Sequence, residues 1–118
     1  MGMNYPQRRQ ELQGLFGKLG KELPGPLADF SRLHKDALAP GAISAKVKEL
    51  MALAIAIATH CDDCIAYHVH DALHAGATRQ EILEAIGVAV MMGGGPASMY
   101  GCSAYEALGQ FEALSKAS

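Results

Sequence analysis

The chain has 118 residues, of which 50% are hydrophobic and 6% aromatic, and its formal net charge is −2. This length predicts a single domain over residues 1–118, and the small net charge excludes a strongly basic nucleic-acid or membrane-surface binder. The longest apolar run, Leu50 to Ala58, is far shorter than the ~20 residues that a membrane-spanning helix needs. We therefore expect a globular protein with no nucleic-acid and no membrane partner.

The cysteine content indicates the redox compartment. Three cysteines are an odd and small number, whereas secreted disulfide scaffolds carry more cysteines in even number. The first residues also lack the apolar segment of a signal peptide. We expect a cytoplasmic location, where two cysteines three positions apart indicate redox chemistry or metal binding rather than a structural cross-link.

Helical periodicity runs along the whole chain, and no segment alternates apolar and polar residues as a strand does. A first helix is predicted after Pro6 and is stopped by the Pro-Gly-Pro segment at 24–26. A second runs from about Pro26 to Leu38. The apolar residues of the first helix share one face, and those of the second are expected to point inward. These residues are Leu12, Leu15, Phe16, Leu19 and Leu23, followed by Leu27, Phe30, Leu33 and Leu38.

The third and fourth helices are separated by the segment HCDDC at positions 60–64. Ser44 is the predicted N-cap of the third helix, and the run 50–58 is apolar on every side, which predicts a helix buried all round. Glu49 lies at the edge of this run, where a carboxylate without a partner is costly. The fourth helix is predicted to end at Gly76, a residue suited to the C′ position.

Two further helices complete the predicted fold. A capping box at Thr78–Glu81 opens the fifth, the glycines at 93–95 end it, and Pro96 opens the sixth, which ends near Leu114. The sequence thus predicts an all-α, compact bundle of about six helices. Because so small a domain cannot completely bury two helices as apolar as the third and the fifth, we also predict a homo-oligomer.

The chemistry is predicted to reside in Cys61-x-x-Cys64 at the start of the fourth helix. Such a pair can close a disulfide across one turn, and the positive end of the helix dipole favours the reactive thiolate. Asp62 and Asp63 act in the opposite sense, because neighbouring carboxylates raise the pKa of a thiol. His68 follows Cys64 by one helical turn, on the same face, and can exchange its proton.

Glu49 is the candidate to orient His68. In a straight helical hairpin the two would lie roughly two turns apart, so the third and fourth helices must cross or bend for them to meet. The pattern Glu49-x11-Cys61-x2-Cys64-x3-His68 resembles the signature of the alkylhydroperoxidase D-like branch of the carboxymuconolactone decarboxylase family. The similarity covers about residues 44–108 and includes the AxAxAxxC approach, the HxxxAxxAGAT stretch and the MMGGGP turn.

This resemblance implies an all-α fold, often assembled as trimers or hexamers, and a peroxiredoxin-type, antioxidant activity on hydroperoxides. We expect no cofactor and no metal. It implies that Cys64 attacks the peroxide and becomes a sulfenic acid, that Cys61 resolves it to a disulfide, and that Glu49 and His68 relay protons. A dithiol or a disulfide reductase would supply electrons. The sequence departs from the pattern at Asp63, which replaces a relay histidine directly before the second cysteine.

Other functions are open on the sequence alone. They are general disulfide exchange, lactone decarboxylation, and a non-catalytic or metal-binding helical module. A zinc site would draw on the group His60, Cys61, Cys64, His68 and His70, although tetrahedral zinc needs four converging ligands and His70 points away from the face of Cys64. The remaining histidines, His34 and His74, are interpreted as surface or interface residues. Cys102 is interpreted as a small core residue.

Overall fold

The computed structural model describes residues 2–117 and confirms the all-α prediction, with six helices and no strand in this range. The helices are α1 (Tyr5–Glu22), α2 (Pro24–Leu38), α3 (Ala45–Ala58), α4 (Asp62–His74), α5 (Arg79–Gly93) and α6 (Gly95–Ala117). Helix α3 packs between α4 and α5, and α6 covers the other side of both. None of the described helices has both the length and the apolar character needed to cross a bilayer.

Local sequence signals define most of the helix ends. The Ser44 side chain accepts a hydrogen bond from the Val47 amide at the start of α3. Thr78 and Glu81 form the expected reciprocal capping box at the start of α5, and Gly76 follows α4 with a φ of +97°. The largest differences from the predicted bounds are that α2 begins at Pro24, because proline is well tolerated in a first helical turn, and that α6 continues to Ala117.

The core lies where α3, α4, α5 and α6 meet. Its largest fully buried side chains are Leu53, Ile57, Ile65, Val69, Ile82 and Leu108. Alanines fill much of the remaining space, which allows the helices to approach closely. The helix α4 that carries the cysteine pair is thus anchored by a buried face.

Two predictions about burial are wrong for the single chain. Helix α3 is not buried all round, because Met51 and Ile55 are 48% and 60% exposed. In α2, Phe30 and Leu33 are 57% and 62% exposed rather than inward-facing, because the backbone of α2 comes close to α1 and α3 but not to the other three helices that form the core. Helical periodicity identifies an apolar face, but it does not tell whether the same chain covers that face.

Helix α1 packs across α4 and is fixed to α6 near its first residue. The Tyr5 amide donates to Oε1 of Gln110 at 2.7 Å, and Nε2 of Gln110 donates to the Met3 carbonyl at 2.9 Å. Tyr5 itself is only 2% exposed. This anchoring holds the first turns of α1 beside the N-terminal end of α4.

Candidate functional site

The cysteine pair forms the N-terminal end of α4. Cys61 is the N-cap residue, and its sulfur accepts a hydrogen bond from the Cys64 amide at 3.2 Å. The two residues are disulfide-bonded in this structure, with their Cα atoms 5.2 Å apart. Both cysteines are partly buried. The disulfide across one turn that the spacing predicts is therefore compatible with the local helix geometry.

The turn before the pair brings the chain from α3 into α4. The Cys61 amide donates to the Ala56 carbonyl at 3.0 Å and the His60 amide to the Ile57 carbonyl at 3.2 Å, which is a Schellman motif. Glycine usually occupies the left-handed position of this motif, but here His60 has a φ of +60°. Its ring stacks on Tyr100 at a centroid distance of 4.9 Å, and this contact fixes the side chain of a residue whose backbone conformation is unfavourable.

His68 and Glu49 meet between α4 and α3. Nδ1 of His68 lies 2.8 Å from Oε1 of Glu49, and their side chains are 16% and 12% exposed. With the imidazole neutral and a proton on Nδ1, this hydrogen bond leaves Nε2 as the proton acceptor. The packing of α3 against α4 thus brings together the two side chains that were expected to need crossed or bent helices.

His34 of α2 adds a third ring to this region. Its imidazole stacks on that of His68 with a centroid distance of 6.2 Å and an interplanar angle of 21°. His34 is exposed, as the sequence interpretation expected, yet it lies beside the candidate site. No local pattern in the sequence pointed to this contact.

Helix α1 contacts both carboxylates that lie between the cysteines. Nε and Nη2 of Arg8 donate to the two oxygens of Asp63 at 2.9 and 3.1 Å, and the Tyr5 hydroxyl donates to Asp62 at 3.2 Å. Hydrogen bonding to Asp63 raises the pKa of Arg8, so the guanidinium stays charged. Burial, and then the proximity of Asp62, raise the pKa of Tyr5, which keeps its phenol protonated.

One group of ligand-type side chains within residues 2–117 is close enough to hold a cation. The donor atoms of Glu49, His68 and Asp71 lie within 4.8 Å of one another. Asp71 is already 2.8 Å from Nδ1 of His70 and 4.0 Å from Arg9. The zinc alternative draws on the cysteine sulfurs as ligands, and here they are bonded to each other.

Two further side chains, those of Cys102 and Tyr67, have surroundings of a different kind. Cys102 is an exposed free cysteine, so its interpretation as a core residue is wrong: it faces out of α6, while Gly101 and Ala104 face in. Tyr67 packs edge-on against Phe16. Burial raises the pKa of its phenol.

A separate cleft of about 570 Å³ lies between α1, α4 and α6. His70 and His74 line it with Arg9 and Phe111, and the two imidazoles stack at a centroid distance of 6.0 Å. Neither Cys61 nor Cys64 lines this cleft. These two histidines therefore belong to a different surface from the disulfide.

The comparisons with known proteins agree with this architecture. A family model described as the carboxymuconolactone decarboxylase family matches residues 24–107. The chain belongs to the carboxymuconolactone decarboxylase family. The matched segment contains Glu49, Cys61, Cys64 and His68, and the residues of α1 precede it. The family resemblance carried by the sequence motifs is confirmed.

Similar proteins match most of the chain. An uncharacterised protein from Cupriavidus necator is 40% identical over 114 residues, which cover 97% of this chain and 98% of the relative. A solved family member from Legionella pneumophila superposes with a TM-score of 0.87 at 39% identity, covering 91% of this chain and 96% of its own. A carboxymuconolactone decarboxylase family protein from Thermotoga maritima, described as a candidate in the antioxidative response, gives a TM-score of 0.74 at 32% identity and covers 77% of this chain and 94% of its own.

Proposed function

We propose that this protein is a thiol-dependent peroxidase that reduces hydroperoxides through Cys64 and Cys61. The observation that carries the proposal is the half-buried His68–Glu49 pair, one helical turn from a closed Cys61–Cys64 disulfide. A dithiol at a helix N-terminus with an oriented base beside it is a suitable arrangement for two-electron thiol chemistry.

The reaction begins with both cysteines reduced. The Cys64 thiolate attacks one oxygen of the hydroperoxide, the O–O bond breaks, and the products are a sulfenic acid on Cys64 and, after protonation, an alcohol. The Cys61 thiol then attacks the sulfenic sulfur, which forms the disulfide and releases water. An external dithiol reduces this disulfide by exchange and is itself oxidised, so each turnover transfers two electrons from the dithiol to the peroxide.

His68 acts as the base of this sequence and Glu49 as its orienting partner. The imidazole accepts the proton of the Cys64 thiol through Nε2 and returns a proton to the departing alkoxide. Glu49 accepts a hydrogen bond from the Nδ1–H group at 2.8 Å, which fixes the ring orientation and stabilises the imidazolium form. The low exposure of both side chains strengthens this electrostatic contribution.

Cysteine variants test the proposal most directly. Cys64→Ser should abolish turnover with an organic hydroperoxide and a dithiol, while Cys61→Ser should leave a sulfenic acid on Cys64 that a dimedone-type reagent traps. Cys102→Ser is the matched control because its sulfur is unpaired and exposed, and it should retain full activity. Unchanged turnover in both Cys61 and Cys64 variants would exclude the proposed chemistry.

Disulfide exchange with another thiol protein is the second candidate function. The closed disulfide at the N-terminal end of α4 favours it, because exchange needs the same pair and no peroxide. Assays of the reduced protein with a hydroperoxide, and of the oxidised protein with a disulfide-containing peptide, separate the two activities. A direct assay with carboxymuconolactone tests the reaction that gives the family its name.

The partners follow from this chemistry and from the exposed apolar side chains. We propose a small hydroperoxide as substrate, a dithiol or a disulfide reductase as electron donor, and a cytoplasmic location, where such donors maintain thiols in the reduced state. We also propose a homo-oligomer, a trimer or a hexamer, in which apolar residues of α3 and α5 are covered by other copies. Residues with more than half of their surface exposed in this group are Ile55, Val88, Met91 and Met92.

A further inference from the structure

We infer that Arg8 is a positioning residue for the proposed thiol chemistry. It supports this chemistry by pairing with Asp63, so that the positive guanidinium compensates the negative charge of the carboxylate beside the Cys64 thiolate. This inference rests on the proposed function, since it assumes that Cys64 works as a thiolate. It assigns a role to an N-terminal residue outside the segment 24–107 that the family model matches.

The geometry of the pair supports this role. Arg8 contacts Asp63 through two nitrogens and both carboxylate oxygens, at 2.9 and 3.1 Å. A two-point contact of this kind holds a planar guanidinium and a planar carboxylate in one relative orientation, which a lysine cannot do. Arg8 is also in the first turns of α1, where the Tyr5–Gln110 hydrogen bond fixes the helix.

The chemical need for the pair comes from the position of Asp63. It is adjacent to Cys64 in the chain, in the first turn of α4, so an unpaired carboxylate there would oppose the negative charge of a thiolate. Opposite charge from Arg8 cancels much of that repulsion without removing the carboxylate. The side chains of Arg8 and Asp63 are 31% and 41% exposed, so solvent screening limits the effect to a moderate size.

The other charged groups around this end of α4 already have partners. Asp62 accepts a hydrogen bond from the Tyr5 hydroxyl, and Glu49 contacts His68. Glu11 lies 3.5 Å from Nη1 of Arg8, a nitrogen that neither of the Asp63 contacts uses. Arg8 can therefore hold Glu11 and Asp63 at the same time.

The test measures the ionisation of Cys64 without any peroxide. In a Cys61→Ser/Cys102→Ser background, Cys64 is the one remaining thiol of the chain, and its alkylation rate with iodoacetamide across a pH series reports the thiolate fraction. The variants are Arg8→Gln, Arg8→Lys, Asp63→Asn and the double variant Arg8→Gln/Asp63→Asn. Arg32→Gln is the matched control, because Arg32 also pairs with an aspartate, Asp29, but on α2.

Arg8→Gln should slow alkylation near neutral pH by about threefold to tenfold and move the pH midpoint upward. Arg8→Lys should recover part of the rate, the double variant should return to the rate of the background protein, and Asp63→Asn alone should be at least as fast as that protein. The effect of Arg8→Gln should shrink in about 1 M salt. Arg32→Gln should leave the profile unchanged.

Three results would overturn the inference: an unchanged profile in Arg8→Gln, a double variant as slow as Arg8→Gln, or slower alkylation in Asp63→Asn. The last variant keeps the test decisive if Arg8→Gln fails to fold. Failure of the peroxidase proposal gives a different result, because a protein inactive toward hydroperoxides would still show these alkylation profiles if Arg8 acts through Asp63.

Discussion

The imidazole of His68 and the carboxylate of Glu49 are separated by 19 positions in the chain and lie 2.8 Å apart between two packed helices. Both side chains are partly buried, so bulk water competes only weakly for this hydrogen bond. This relationship is the strongest geometric reason to treat the N-terminal half of α4 as a reactive centre.

Substitution of either member of the pair should therefore slow peroxide reduction. We expect His68→Gln to lower the second-order rate with hydroperoxide by about 100-fold or more, since the base is lost. Glu49→Gln should cost about tenfold to 100-fold, because the ring keeps a hydrogen-bond partner but loses the charge that stabilises imidazolium. Stopped-flow oxidation kinetics measure both effects.

His74→Gln is the control, because His74 is an exposed histidine in the separate cleft, and this variant should react at the parent rate. A parent-like rate in His68→Gln would exclude the base role of His68.

Acid should weaken the start of α5 through Glu81. Its hydrogen bond from the Thr78 backbone amide, followed by the contact with Lys46, lowers its pKa below the ordinary value of 4.5. A carboxyl group with a lowered pKa in the folded state stabilises the fold above the pKa of the unfolded chain, and this stabilisation is lost as the pH falls through the lowered pKa. Urea unfolding of Glu81→Gln should therefore show a shallower loss of stability below about pH 4.5 than the parent.

Glu84→Gln is the matched control for the Glu81 experiment. Glu84 is exposed on the same helix, and its carboxylate accepts a hydrogen bond from the Gln80 side chain at 3.1 Å. Its substitution should leave the acid dependence of the unfolding free energy as it is in the parent. Equal acid profiles for the parent and Glu81→Gln would contradict the prediction.

Two glycines of α5 should respond oppositely to the same substitution. A Cβ atom at Gly93 would lie 2.5 Å from the Cβ of Ala97, which is fully buried, so Gly93→Ala should lower the free energy of unfolding by about 1–3 kcal/mol. Gly87 has nothing within 4 Å of its Cβ position, and Gly87→Ala should raise the free energy by about 0.5–1 kcal/mol. Denaturant titrations at one protein concentration give both values, and a stabilised Gly93→Ala would show that α6 can shift away from the α5 end.

Charge on the exposed apolar face of α5 should reduce self-association. Met92 is 74% exposed in the single chain, and a lysine at this position would oppose its burial against another copy. In sedimentation velocity experiments, the parent should have a mass above the 12.4 kDa of one chain. The Met92→Lys variant should shift toward the mass of one chain with an unchanged circular dichroism spectrum. Gln80→Lys, on a polar part of the same helix, is the control. A parent that sediments as a monomer at micromolar concentration would refute the assembly.

The sequence was informative where a structural feature depends on nearby residues. Ser44, Gly76 and the Thr78–Glu81 capping box each act within one turn, so their residue types predict helix ends directly. The Cys61–Cys64 spacing likewise predicts a bond that needs only one helical turn. In these cases the interacting residues lie within about one helical turn of each other, so their types and spacing are enough to predict the contact.

Features that depend on tertiary packing were not predictable in this way. The contact of Arg8 with Asp63 joins positions 55 apart, and no spacing rule connects the docking of α1 to the cysteine turn. The exposure of Ile55 against the complete burial of Leu53 shows the same limit, because both belong to one apolar run. His60 in a left-handed conformation was also missed, since glycine is the residue that normally signals that turn.

The hydrogen bonds of Gln110 with Tyr5 and Met3 have a consequence for synthesis on the ribosome. Chains emerge with their N-terminal residues first, so α1 leaves the ribosome long before the residue that anchors it. The two hydrogen bonds that hold its first turn against α6 can therefore form only after residue 110 has been translated. The cysteine turn is thus synthesised well before the residue that completes the anchoring of its arginine and tyrosine neighbours.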